Sequence, residues 1–175
     1  MRVCSSSVLR TSRAQPDAFR ADLGTSLNSL ANRLSDLGRL EESLAPAQEA
    51  TELYRELAAA EPDAFRPDLA MSLNVLASCL ESLSRLDDAV QSDAEAVRVL
   101  GPMFLSAPAP FAKLMATIVF GYIRRLKTLN REPQPDMVDL LARILAVLNS
   151  DTHRADWAAN SLSDSIAFSI FGSNS

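Results

Sequence analysis

The chain has 175 residues, of which 47% are hydrophobic, 22% charged and 6% aromatic, with a formal net charge of −5. That length suits one compact domain or one short solenoid with a sizeable core. Low glycine and few β-branched runs point away from β architecture and favour helix. The charge is uneven: residues 14–59 carry eight acids and four bases, and residues 60–105 carry eight and three. Nucleic-acid phosphates would repel so acidic a stretch, so no nucleic-acid partner is expected.

Two cysteines, Cys4 and Cys79, are too few and too scattered for a disulfide framework or a zinc site. Residues 1–15 lack the apolar core of a secretory signal. The longest near-apolar run, Leu114 to Ile123, is too short to span a bilayer. A cytoplasmic location is expected. Arg2, Arg10 and Arg13 among serines and no acids give the alternative, a mitochondrial transit composition.

Residues 1–13 read either as the worn end of a preceding repeat or as a flexible N-terminus. Residues 14–59 and 60–105 are then two copies of one unit at a 46-residue offset. Pro16-Asp17-Ala18-Phe19-Arg20 returns as Pro62-Asp63-Ala64-Phe65-Arg66. Leu23, Ser26, Leu27, Asn28, Leu30, Ala31, Leu34 and Leu37 return as Leu69, Ser72, Leu73, Asn74, Leu76, Ala77, Leu80 and Leu83.

Each unit reads as two helices. Leu23, Leu27, Leu30, Ala31, Leu34 and Leu37 fall on one face of the first helix. Gly38 permits the turn. Leu40, Leu44, Ala47, Ala50, Tyr54 and Leu57 line the second helix, as Leu86, Val90, Ala94, Val97 and Leu100 do one unit later. Pro62 to Arg66 is expected to form the inter-repeat turn, with the next helix starting near Pro67, where a missing N–H costs little. Ala31, Ala50, Ala77, Ala89 and Ala96 are expected where helices approach closely.

Residues 106–150 keep the apolar spacing while the letters drift, with Phe111, Ala116, Val119, Leu126, Leu129 and Arg131 under the earlier pattern. They read as a degenerate third repeat or cap, since terminal repeats are atypical. Pro135 and Asp136 start another amphipathic helix, with Met137, Leu140, Leu141, Ile144 and Leu148 on one face. Residues 151–175, with Trp157, Leu162, Ile166, Phe168 and Phe171, read as a cap helix or a tail.

The run Leu27-Asn28-Ser29-Leu30-Ala31, then Leu34, Leu37-Gly38-Arg39-Leu40-Glu41-Glu42-Ser43-Leu44, Glu49-Ala50 and Tyr54, resembles a tetratricopeptide unit. So does Leu73-Asn74-Val75-Leu76-Ala77, continuing through Arg85-Leu86-Asp87-Asp88-Ala89-Val90 to Glu95-Ala96. The period exceeds the usual ~34 residues and is similar to the extended repeats of kinesin light chains. Ser43 departs from the family's alanine, Asp93 from its bulky residue and Ser84 from its turn glycine, and Pro102 lies near the family's usual helix end. The resemblance implies an all-α, right-handed superhelix of two clear repeats plus a degenerate third. It also implies a scaffold that binds a peptide or partner helix in its concave groove, without catalysis or cofactor. The alternative is a truncated regulatory array of a larger signalling protein. Self-association, or a missing N-terminal neighbour, is a further expectation, because two good repeats are fewer than a stable array usually needs.

The chemistry-bearing residues fit that picture. Asn28 and Asn74 recur on first helices, which line the groove in this family. Their amides match an extended main chain, with Asn32 and Ser78 one turn along as further peptide contacts. Arg124, Lys127 and Arg131 form a basic stripe that would take an anion, against the plainer reading of a solvated helix end. His153 is the sole histidine and has no recognisable partner for acid–base work. Acids that recur with the repeat, such as Asp17/Asp63 and Glu49/Glu95, suit turns and caps better than catalysis. Cys79 reads as a small core residue. No metal-ligand spacing or glycine-rich phosphate loop is present.

Overall fold

The computed structural model of the chain describes residues 6–150, with side chains from residue 17 onward. The readings on residues 1–5 and 151–175, His153 and the C-terminal aromatic residues included, lie outside the described residues. Six helices follow one another: α1 (Ser6–Asp36), α2 (Leu40–Ala60), α3 (Pro62–Ser82), α4 (Leu86–Ser106), α5 (Pro108–Thr128) and α6 (Pro135–Leu148). Every regular element among the described residues is thus a helix, and the fold is an all-α helical-repeat architecture. They divide into two compact units, one ending at Leu83 and the other starting at Ser84.

The 46-residue spacing of the letters is also the spacing of the backbone. The bounds of α2 recur in α4, and those of α3 in α5. The turn residues Gly38 (φ 74°), Ser84 (φ 61°) and Asn130 (φ 52°) fall at the same spacing in the left-handed region. At the first and third turns the chain closes alike. Gly38 N–H donates to Ser35 O at 2.9 Å and Arg39 N–H to Leu34 O at 2.9 Å, while Asn130 N–H donates to Lys127 O and Arg131 N–H to Leu126 O, both at 3.0 Å. This is the helix-ending motif that wants glycine, or else asparagine, just past the last turn. Serine is the poorest of the three residues there. Ser84→Gly is therefore expected to raise stability by about 1 kcal/mol, seen as a rise of roughly 2–4 °C in the thermal midpoint.

The first unit packs α2 between α1 and α3. The alanines expected at close crossings are buried as predicted: Ala31 and Ala50 at 0% exposure, and Ala47 beside them. Ala31, Ala47, Val75 and Cys79 form one cluster, with Leu76 packed against it, so Cys79 is the small core residue expected. The leucines of α1 share one face, but much of that face is open. Leu23, Leu30 and Leu37 are 41%, 49% and 72% exposed, and the core side of α1 is Gly24, Asn28 and Ala31. Helix α3 carries the same letters, yet Leu69, Leu73 and Leu80 are buried.

The α3 start is a correction. The helix begins at Pro62, not near Pro67. Pro62 occupies the first helical position, where no N–H is needed. Ala64 and Phe65 N–H both reach Glu61 O at 3.2 Å, which closes the first turn ahead of Pro67. Pro67 then removes a single ladder bond near the helix start. Pro46 and Pro102 are likewise carried inside α2 and α4, and α4 continues past Pro102 to Ser106.

The second unit buries Val97, Leu100 and Phe104 of α4, Met115, Ile118 and Tyr122 of α5, and Met137, Leu141, Ile144 and Leu148 of α6. The loop before α6 and the first turn of α6 are tied to α4 by ion pairs, Arg131 with Asp87 and Arg98 with Asp136. Arg98 also donates to Gln134 Oε1 at 2.8 Å. Its guanidinium holds the exposed Asp136 carboxyl below the usual carboxylate range.

Candidate binding face on the first helices

In the first unit α1 and α3 run in the same direction, joined through α2. Their outward faces place matched side chains 46 residues apart: Thr25 with Met71, and Asn32 with Ser78. Thr25, Asn32 and Ser78 are exposed, and Met71 is 50% exposed. Ser78 Oγ donates to Asn74 O at 3.0 Å, and Asn74 itself is half-buried. The four matched side chains are uncharged, and one of them is apolar. They offer hydroxyl and amide groups to a main chain and a thioether to a side chain.

Asn28 does not join this face. It is 8% exposed, and its Oδ1 accepts a hydrogen bond from Ser72 Oγ at 3.1 Å. Ser72 Oγ lies 3.1 Å from Thr51 Oγ1, which donates to Ala47 O at 2.8 Å. One buried polar link therefore joins α1, α2 and α3. Both Asn28 and Ser72 are repeated residues, but the link needs Thr51, and the repeat puts Val97 in that position. The expectation that Asn28 contacts a peptide is corrected: its carbonyl is turned into helix packing. A buried amide without such partners would cost free energy.

Beneath the same face, Tyr54 reaches from α2 towards α1. Its hydroxyl donates to Ala21 O at 2.7 Å and lies 2.8 Å from Thr25 Oγ1. Burial pushes the phenol above its ordinary range, against the opposing effect of the Thr25 hydrogen bond. The ring fills the space over Gly24, where an added Cβ would come within 2.6 Å of it.

Asp68, on α3, has its carboxyl raised by burial. A folded-state value above the unfolded one means that ionisation opposes folding. The favourable contribution is complete below the usual carboxylate range and is lost as pH rises through the raised value. Asp68→Asn is expected to stabilise the chain by a few tenths of a kcal/mol at neutral pH, with the gain vanishing in acid. Urea melts at pH 7 and pH 3 check this.

The expected anion stripe is divided by the second unit. Arg124 and Lys127 are exposed on α5, and Arg131 is paired with Asp87 of α4. Arg125, next to the stripe, turns inward. Its Nη1 donates to Asp93 Oδ2 at 2.6 Å, with side-chain exposures of 3% and 0%. The guanidinium occupies the space that a Cβ on Gly121 would need, at 2.6 Å. Sequence reasoning missed this pair. A signal was present: Asp93 falls on the apolar face of Val90, Ala94, Val97 and Leu100.

Among the described residues, no cluster of histidine, cysteine and acidic side chains is arranged to hold a metal ion, and no helix is long and apolar enough to cross a membrane.

Successive helices on one fixed period define a helical-repeat protein with exposed residues on its first helices. Residues 23–61 match the tetratricopeptide repeat family. Together with the six-helix fold, this match fits a tetratricopeptide-type repeat protein. No curated protein and no solved structure matches the chain. Repeats of this family generally mediate protein–protein interaction.

Proposed function

We propose that the chain is a non-enzymatic interaction scaffold whose first unit binds an extended peptide, or a partner helix, across α1 and α3. The supporting observation is the matched exposed pair set, Thr25 with Met71 and Asn32 with Ser78, on the first helix of each repeat. Asn74 lies at its edge. Met71 receives an apolar side chain while Asn32 and Ser78 hydrogen-bond to the main chain. No cofactor takes part, and a cytoplasmic setting suits the buried free thiol of Cys79. Arg124 and Lys127 supply a secondary anion contact in the second unit.

The test is selection of a displayed random-peptide library on the full chain. Enriched sequences are then titrated as synthetic peptides against wild type and an Asn32→Arg, Ser78→Arg variant, both checked by circular dichroism. Loss of at least about tenfold in affinity, roughly 1.4 kcal/mol, places binding on this face. Peptides that bind both chains equally refute it.

A further inference from the structure

Helix α1 carries an apolar stripe that stays exposed among the described residues. Phe19 is 72% exposed, Leu23 41%, Leu30 49% and Leu37 72%. Leu23, Leu30 and Leu37 are seven residues apart, the spacing of a seam between two helices. The same stripe on α3 shows what it is suited to. Leu76, the repeat counterpart of Leu30, is partly buried against the cluster that Val75 and Cys79 form with Ala47 of α2 and Ala31 of α1. Ser72, the counterpart of exposed Ser26, is buried. These letters are therefore a helix-receiving face, open on α1. An apolar stripe of this kind on a surface marks an interaction site.

The stripe is self-complementary. Phe19 and Leu37 lie symmetrically about residue 28, as do Ser26 and Leu30. Asp22 and Arg33, both exposed on its flank, share almost the same midpoint. Two α1 helices set antiparallel about that point bring Phe19 onto the partner's Leu37 and seat Leu30 over the partner's small Ser26. The same placement sets Asp22 against the partner's Arg33, twice. A two-fold interface needs this relation, in which residue i meets residue j and j meets i. We infer that the Phe19–Leu37 stripe of α1 is a dimer interface that receives α1 of a second copy of this chain in antiparallel orientation.

The experiment is sedimentation velocity of the full chain across a concentration series, with circular dichroism on every variant. The wild type is expected to dimerise. Leu30→Glu, at a half-exposed position, is expected to be a folded monomer. Asp22→Arg alone and Arg33→Asp alone each set like charges together twice and weaken the dimer about tenfold. Mixing those two variants restores opposite charges at both contacts, so the mixed dimer is expected to form in preference to either parent. A wild type that stays monomeric overturns the inference. So does a dimer that survives Leu30→Glu, or a mixture that shows no preference for the mixed pair. Covering of the stripe by a different protein would appear as a monomeric wild type. The peptide titrations use Asn32 and Ser78 on another face, so either result stands without the other.

Discussion

Asp93→Ala is expected to destabilise the second unit by roughly 3–5 kcal/mol. The change removes the carboxylate that balances a guanidinium held at 3% exposure. Arg125→Ala should cost a similar amount by stranding the carboxylate instead. The double replacement Asp93→Leu with Arg125→Met should recover most of the loss, because a buried ion pair offsets little more than its own desolvation. It should also free the space over Gly121, now closed by Arg125 Nη1. Adding Gly121→Ala to the double variant should then raise stability, while Gly121→Ala alone lowers it. Guanidinium melts of the five variants check the scheme. Equal stability of Asp93→Ala and wild type would contradict it.

Gly24→Ala should destabilise the first unit by about 1–3 kcal/mol, against the ordinary gain of alanine over glycine within a helix. The new methyl would meet the Tyr54 ring at 2.6 Å. That ring cannot swing aside without breaking its hydrogen bond to Ala21 O. One repeat later the same two positions read Ala70 and Leu100, so the sequence offers its own suppressor. Tyr54→Leu in the Gly24→Ala background should restore part of the loss by thermal melt, although each change alone destabilises. Strictly additive losses would show that the two sites do not couple.

The sequence carried the fold far. Period, turn glycine, alanine crossings and the amphipathic run from Met137 to Leu148 all reappear as helix packing, because each is a local requirement of geometry. The third left-handed turn at Asn130 was equally legible, since it stands 46 residues beyond Ser84. Pro108 likewise repeats Pro62 and starts α5. The openness of the α1 leucines was not legible, because periodicity reports which face is apolar, not whether a neighbour covers it. Asn28 misled for the converse reason. Its letter suits a peptide, but its place between Ser72 and the α1–α2 crossing turns it inward. The Asp93–Arg125 pair joins residues 32 apart, a distance over which no helical pattern links two letters.

The buried Asn28–Ser72 link spans only 44 residues of chain, and the helices it joins are separated by short turns. Ordering such a unit closes small loops, and loop-closure entropy grows with the logarithm of their length. Proteins built from local contacts of this kind cross their folding barriers in microseconds to milliseconds. The same local build has a kinetic cost where a helix is held by fewer neighbours: its amide protons should exchange ahead of those in helices packed on both sides. In α1, where one flank is open, the first step of unfolding and the first step of assembly would begin at the same surface.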